Sequence, residues 1–173
     1  MSVETESKQD AIFRNVKEFY SDPGHLALLT SILTKQSDLS LRLFDWLVTN
    51  YAKKYNVVYT HSDGHMLNVY SEYRNWLKGY SKRNFDPFKR RERIEFVDSY
   101  GQPLVTTVGQ LNFFKFVIQC NLLQFMREHL DSIEQDMLAN VGTMMQKRER
   151  KELTKAAISR CTKTRLTVKV NFT

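Results

Sequence analysis

Glycine and proline are scarce, six and three in 173 residues, which excludes a sandwich of many short, turn-linked strands and leaves helix as the dominant structure. Cysteine is scarcer still. Cys120 lies in an apolar stretch and Cys161 in a basic one, too few for a disulfide framework. No window approaches eighteen uncharged apolar residues, and the opening MSVETESKQD is polar and acidic, unlike a signal or transit peptide. These absences predict a soluble intracellular protein with no membrane span. The sequence also lacks a glycine-rich phosphate loop, G-x-S-x-G, HExxH and any paired-cysteine spacing.

Apolar residues make up 42% of the chain and charged residues 26%, inside the range of chains that fold, and the length favours a single domain over residues 1–173. The net charge of +7 is unevenly placed. The segment Lys147 to Thr173 has nine Lys or Arg against two Glu, so it accounts for the whole net charge. A second positive segment, Glu72 to Glu95, has eight basic and four acidic residues. Polyanions and acidic protein surfaces are the natural partners of such segments.

Helical spacing recurs along most of the chain. Ile12, Phe13, Val16, Phe19 and Tyr20 predict a helix from about Asp10, behind a frayed terminus over 1–9. Asp22 then caps a helix with Pro23 in its first turn, and Ser37 or Asp38 is expected to cap a third that carries Leu43, Phe44, Leu47 and Val48. Tyr55 to Thr60 is β-branched and aromatic and predicts a strand. Met66, Val69, Tyr73, Trp76, Leu77 and Tyr80 predict a helix from about His65 to Tyr80 with an aromatic, core-facing stripe. The following SKRNFDPFKRRER is a basic loop, because proline forces its predecessor out of helical geometry. Arg93 to Asp98 and Leu104 to Thr106 read as a hairpin, and Thr106 or Thr107 caps a central buried helix running through LNFFKFVIQCNLLQFM, with Gln110 at capping-box spacing. Ile133, Met137 and Val141 mark a further helix, which continues as a basic helix before a C-terminal strand with alternating polarity, Leu166 to Phe172. The expected fold is α+β and predominantly helical, with about six helices. A small antiparallel sheet is expected to join the mid-chain hairpin, the strand near 55–60 and the C-terminal strand.

Candidate chemistry is thin. His61, Asp63 and His65 invite a metal, but no cysteine stands near to complete a ligand set, and a turn explains the same residues. His25 and His129 read as surface or helix-end groups. Cys120 reads as a core residue, and Cys161 has cations beside it but no nearby histidine to act as base. Glu128, Asp131, Glu134 and Asp136 read as a solvated acidic face. No catalytic residue, metal ligand or cofactor site emerges, so a non-enzymatic protein is expected. The candidate contacts are Lys82, Arg83, Lys89, Arg90, Arg91 and Arg93 in the loop, and Lys147, Arg148, Arg150, Lys151, Lys155, Arg160, Lys163, Arg165 and Lys169 in the tail. Phe85 and Phe88 interleave with the loop cations. Exposed rings would grip single-stranded nucleic acid, whereas inward-facing rings would anchor the loop to the core.

Five separated blocks carry a likeness: FDWLVTNYAKKYNVVY (Phe44 to Tyr59), VYSEYRNWLKGYSKRNFDPFKRRERIEF (Val69 to Phe96), TTVGQLNFFKFVI (Thr106 to Ile118), SIEQDM (Ser132 to Met137) and RKELTKAAISRCTKTRLTVKVNF (Arg150 to Phe172). In this order they resemble a family of uncharacterised paralogous proteins of nucleocytoplasmic large DNA viruses. The resemblance implies a viral protein made in the virus factory of the host cytoplasm and carried in the virion, with no catalytic residues to transfer. In that setting the leading expectation is a minor capsid or cement protein that bridges the major capsid protein or other minor proteins. The alternative is a basic nucleic-acid-binding protein of the viral core or factory.

Overall fold

The computed structural model describes residues 7–34, 37–61, 64–97 and 101–140. The chain divides into two compact units, Met1–Met137 and Leu138–Thr173. In the second, the described residues 138–140 are helical; the basic helix and strand expected over 147–173 lie outside the described residues. The fold described below is that of the first unit.

Helix α1 (Lys8–Phe19) starts earlier than its apolar spacing suggests, because Ser7 caps it by accepting the Asp10 N–H at 3.2 Å. Its buried Ile12 and Val16 lie one turn apart. Helix α2 (Pro23–Leu33) is capped as expected, the Asp22 carboxylate accepting from the N–H groups of Gly24 and His25 at 2.7 and 3.1 Å. The third helix departs from expectation. Ser40, not Ser37 or Asp38, caps α3 (Leu41–Trp46), which opens into a π-helical segment, Leu47–Tyr51, before the single turn α4 (Ala52–Lys54).

The strands depart further. Strand β1 (Val58–Thr60) pairs antiparallel with β2 (Met66–Asn68), which stands where the apolar spacing predicts the first turn of the next helix. The hairpin of β3 (Ile94–Val97) and β4 (Pro103–Thr106) forms as expected, with Ile94 opposite Thr106. These are two separate two-stranded sheets among the described residues, where one joint sheet was expected. Local pairing explains the difference, since the turn between β1 and β2 brings a partner closer in sequence than the hairpin. The α+β, predominantly helical class stands.

Helix α5 (Val69–Tyr80) starts where Asn68 accepts the Ser71 N–H at 2.9 Å, and α6 (Val108–Gln119) where Thr107 accepts the Gln110 N–H at 3.1 Å. Every residue of α6 from Gly109 to Val117 is buried. The long run expected as one helix is two, because Asn121 turns left-handed at φ 49° and α7 (Leu122–Glu128) restarts beyond it. Helical backbone follows over residues 130–137. The core gathers around α6: Phe113, Phe114 and Phe116 are deeply buried, as are Val16, Tyr20, Leu29, Phe44, Leu47, Val48, Leu122, Met126 and Ile133, and the Phe44 ring meets that of Phe114 edge-on. The Tyr20 hydroxyl donates to the Leu111 carbonyl at 2.9 Å, tying α1 to α6.

Candidate functional site

The six expected loop contacts lie together on residues 81–93, between α5 and β3, and all six side chains are exposed. The nine tail candidates, Lys147, Arg148, Arg150, Lys151, Lys155, Arg160, Lys163, Arg165 and Lys169, lie outside the described residues. The loop begins at Ser81, whose positive φ of 69° turns the chain sharply off α5. It then crosses the first turn of α6 in direct contact. A Cβ on Gly109 would stand 3.2 Å from the Arg83 carbonyl oxygen and 3.4 Å from the Asp86 nitrogen, so glycine permits the approach.

Buried polar groups of α6 hold the loop backbone. The Asp86 N–H donates to the Gly109 carbonyl at 3.1 Å. The Asn112 amide donates to the Asn84 carbonyl at 2.9 Å, and the Gln110 amide to the Pro87 carbonyl at 2.8 Å. The Gln110 side-chain oxygen accepts from the Thr106 hydroxyl at 2.9 Å, so this side chain binds loop and strand, not the helix terminus as a capping box would require. Asn84 is buried and exchanges side-chain hydrogen bonds with Gln9 of α1 at 3.1 and 3.3 Å. Residues 7–9, expected to fray, thus supply a helix cap and a loop contact.

The two loop phenylalanines part company. Phe85 is 4% exposed and its ring packs 5.5 to 6.1 Å from those of Tyr73, Trp76, Tyr80, Phe113 and Phe116. The aromatic stripe of α5 is therefore a cover over Phe85, half-buried where a full core face was expected. Phe88 is half-buried and the Arg90 guanidinium lies 4.6 Å over its ring.

Asp86 pairs with Arg90, carboxylate to Nε at 3.5 Å, and its other oxygen accepts the Phe88 N–H at 3.1 Å. These groups face Asp45, Tyr73, Lys82 and Arg91 across a cavity of about 530 Å³. Burial raises the Asp45 carboxyl above its ordinary value; Arg90 opposes the shift and Asp86 adds to it. No ion pair engages Lys82, Arg83, Lys89, Arg91 or Arg93 among the described residues. The arrangement can present cations at fixed positions.

Asp136 corrects the acidic face. It is 7% exposed and accepts hydrogen bonds from the Trp46 indole at 2.9 Å, from the Tyr55 hydroxyl at 3.0 Å and from the Lys54 ammonium. Burial works against its ionisation, yet these donors outweigh it and hold the carboxyl below its usual range. Glu128, Asp131 and Glu134 are exposed, as expected.

His25 and His129 stack on Phe19 and Phe125, each with Nδ1 near that ring's own carbonyl oxygen. No group of three metal-ligating side chains occurs among the described residues, Asp63 lying outside them. Cys120 is buried, and burial pushes its thiol up to about 12. The hold of Asn84, Gly109 and Asn112 on the loop was missed from the sequence, and Gln110 was read only as a capping residue. Gln110 and Asn112 did leave a signal, as polar residues inside an otherwise apolar helical run.

Among the described residues no helix is long and apolar enough to cross a membrane. No solved structure matches the chain significantly. A protein of Acanthamoeba polyphaga mimivirus, "Uncharacterized protein L507", is 35% identical over 132 residues, covering 72% of this chain and 51% of that protein. The chain thus spans about half the length of this relative. A viral relative agrees with the uncharacterised viral family that the five blocks resemble. A family profile described as "Family of unknown function (DUF7197)" matches residues 3–171, and on that match, which takes in nearly the whole sequence, the chain belongs to the DUF7197 family.

Proposed function

We propose that this chain is a non-enzymatic structural protein of a large DNA virus, a minor capsid or cement protein whose basic loop docks on an acidic surface of another capsid component. One observation carries the reading: the loop backbone is pinned by buried polar side chains while five of its cations are left without an ion pair among the described residues. Ordering a loop costs roughly 1–2 kcal/mol per residue in backbone entropy. A loop ordered before contact brings its charges to a partner without that cost at the moment of binding. The viral relative supports the setting.

The nucleic-acid reading draws on the same cations but loses its aromatic half. Phe85 is buried and Arg90 covers one face of the half-buried Phe88 ring, so the loop does not present the two open rings that base stacking would use. The test is location in the virion. A capsid component co-purifies with shells emptied of DNA, and its loss with the DNA would overturn the reading. Fluorescence anisotropy with labelled duplex and single-stranded DNA at about 50 and 200 mM salt supplies the counter-test. Tight binding that collapses at the higher salt would assign the loop to the genome.

A further inference from the structure

An exposed acidic face, opposite in sign to the loop, is present on this chain. Glu128 ends α7, and Asp131 and Glu134 follow three residues apart on one helical face, all exposed. No ion pair engages any of the three among the described residues. Arg127, the nearest cation in sequence, lines a different cavity with Ser31, Asp38 and Leu130. Asp136 is withdrawn into the core, so the exposed acidic face consists of these three carboxylates.

The basic loop sits on the first turn of α6, and the acidic face begins at the end of α7. No ion pair joins the two patches among the described residues. Among the described residues neither patch has an ion-pair partner within the copy that carries it. From this complementarity we infer that the loop of one copy, through Lys89, Arg91 and Arg93, docks on Glu128, Asp131 and Glu134 of a second copy.

Such an interface joins two different patches. It is head-to-tail, and head-to-tail contacts propagate into rings or filaments instead of stopping at a dimer. The inference rests on the reading of the loop as a protein contact and gives that contact an occupant. Exposed charges of this kind act mainly on encounter and register, so the association is salt-sensitive. Attraction between them decays over about 10 Å at 0.1 M salt and about 3 Å at 1 M.

The experiment uses the full chain in sedimentation velocity. At about 50 mM salt the average mass should rise with protein concentration, and at about 1 M it should return to that of the monomer. A loop-neutral variant, Lys89→Gln with Arg91→Gln and Arg93→Gln, keeps only the acidic patch. A face-neutral variant, Glu128→Gln with Asp131→Asn and Glu134→Gln, keeps only the basic one. Each should be monomeric alone, with an unchanged circular dichroism spectrum. Mixed in equal amounts, they should form pairs and nothing larger, because one competent interface remains per pair.

A wild-type chain that stays monomeric at low salt overturns the inference, as does self-association that persists in either variant alone. A mixture that stays monomeric while the wild type associates assigns the contact to other surfaces and also overturns it. DNA binding in the anisotropy assay sinks the protein-contact reading itself. A monomer that binds no DNA removes only the second copy as occupant.

Discussion

The side-chain amide of Gln110 reaches out of the first turn of α6 and donates to the carbonyl of Pro87 at 2.8 Å, while its oxygen accepts from Thr106. One fully buried side chain thus joins helix, strand and loop. Gln110→Ala leaves the Pro87 carbonyl and the Thr106 hydroxyl without these partners, and a buried group left unsatisfied costs about 1–3 kcal/mol. Urea denaturation should register that loss. Trypsin should also cut within residues 82–93 faster than in the wild type, at conditions where both proteins are folded.

Gly109 tests the close approach of the loop. Alanine there sets a Cβ 3.2 Å from the Arg83 carbonyl, and this neighbour is backbone, which cannot turn aside as a side chain would. Gly109→Ala should lower stability by roughly 1–3 kcal/mol, as overpacking does, although alanine is the better helix former in isolation. A thermal midpoint equal to or above the wild-type value would refute the contact.

Phe85 and Phe88 should behave differently despite lying three residues apart. Phe85→Ala empties a site enclosed by five other rings and should cost about 3–5 kcal/mol. Phe88→Ala removes a half-buried ring that supports Arg90 and should cost about 1 kcal/mol or less, the scale of an exposed cation–π contact. Equal effects in chemical denaturation would contradict the inward packing of Phe85.

Asp136 makes stability depend on pH at both ends of the scale. Its carboxyl is held below its ordinary value, so its contribution is complete above about pH 4 and is lost as pH falls through the lower folded value. Lys54 is shifted the other way, its ammonium held above its ordinary value by hydrogen bonds with Asp136 and Tyr55. That contribution is complete below about pH 10 and is lost as pH rises through the folded value. Asp136→Asn should therefore differ most from the wild type across the middle of the pH range. The two denaturation midpoints should converge at low pH and draw closer, without meeting, as Lys54 loses its charge at high pH, because Trp46 still donates to Asp136.

Cys120 should be inert in the native protein. Its thiol, pushed up to about 12 by burial, carries almost no thiolate at neutral pH. In a Cys161→Ser background, labelling by iodoacetamide at pH 8 should follow unfolding, with rates that rise in step with urea. Fast labelling without denaturant would show that Cys120 is open to solvent.

Legibility followed the range of the interactions involved. The caps at Asp22 and Thr107 and the β3–β4 hairpin could be read because each depends on residues a few positions apart. The loop itself was visible from its charge and its Asp86-Pro87 break. Its anchoring was not, because Gln110 meets Pro87 across 23 positions and Asn112 meets Asn84 across 28. Asp136 deceived for the same reason: its helix periodicity gives no sign of Trp46, which lies 90 residues away. Strand β2 was hidden by Met66 and Val69, whose three-residue spacing suits a helix although the strand ends at Asn68.

The hold on the loop separates two kinds of inheritance. Asp86, Gly109, Gln110 and Asn112 grip backbone and Asn84 ties the loop to Gln9, and a change at any of them disturbs the fold whatever the partner. Lys82, Arg83, Lys89, Arg91 and Arg93 project from that grip without an internal ion pair, so each can be exchanged with little effect on stability. Descendants of this protein can therefore retune the charge pattern they present, one substitution at a time, on a platform that stays fixed. Lineages whose partners drift should diverge first at these five positions and last at the five beneath them.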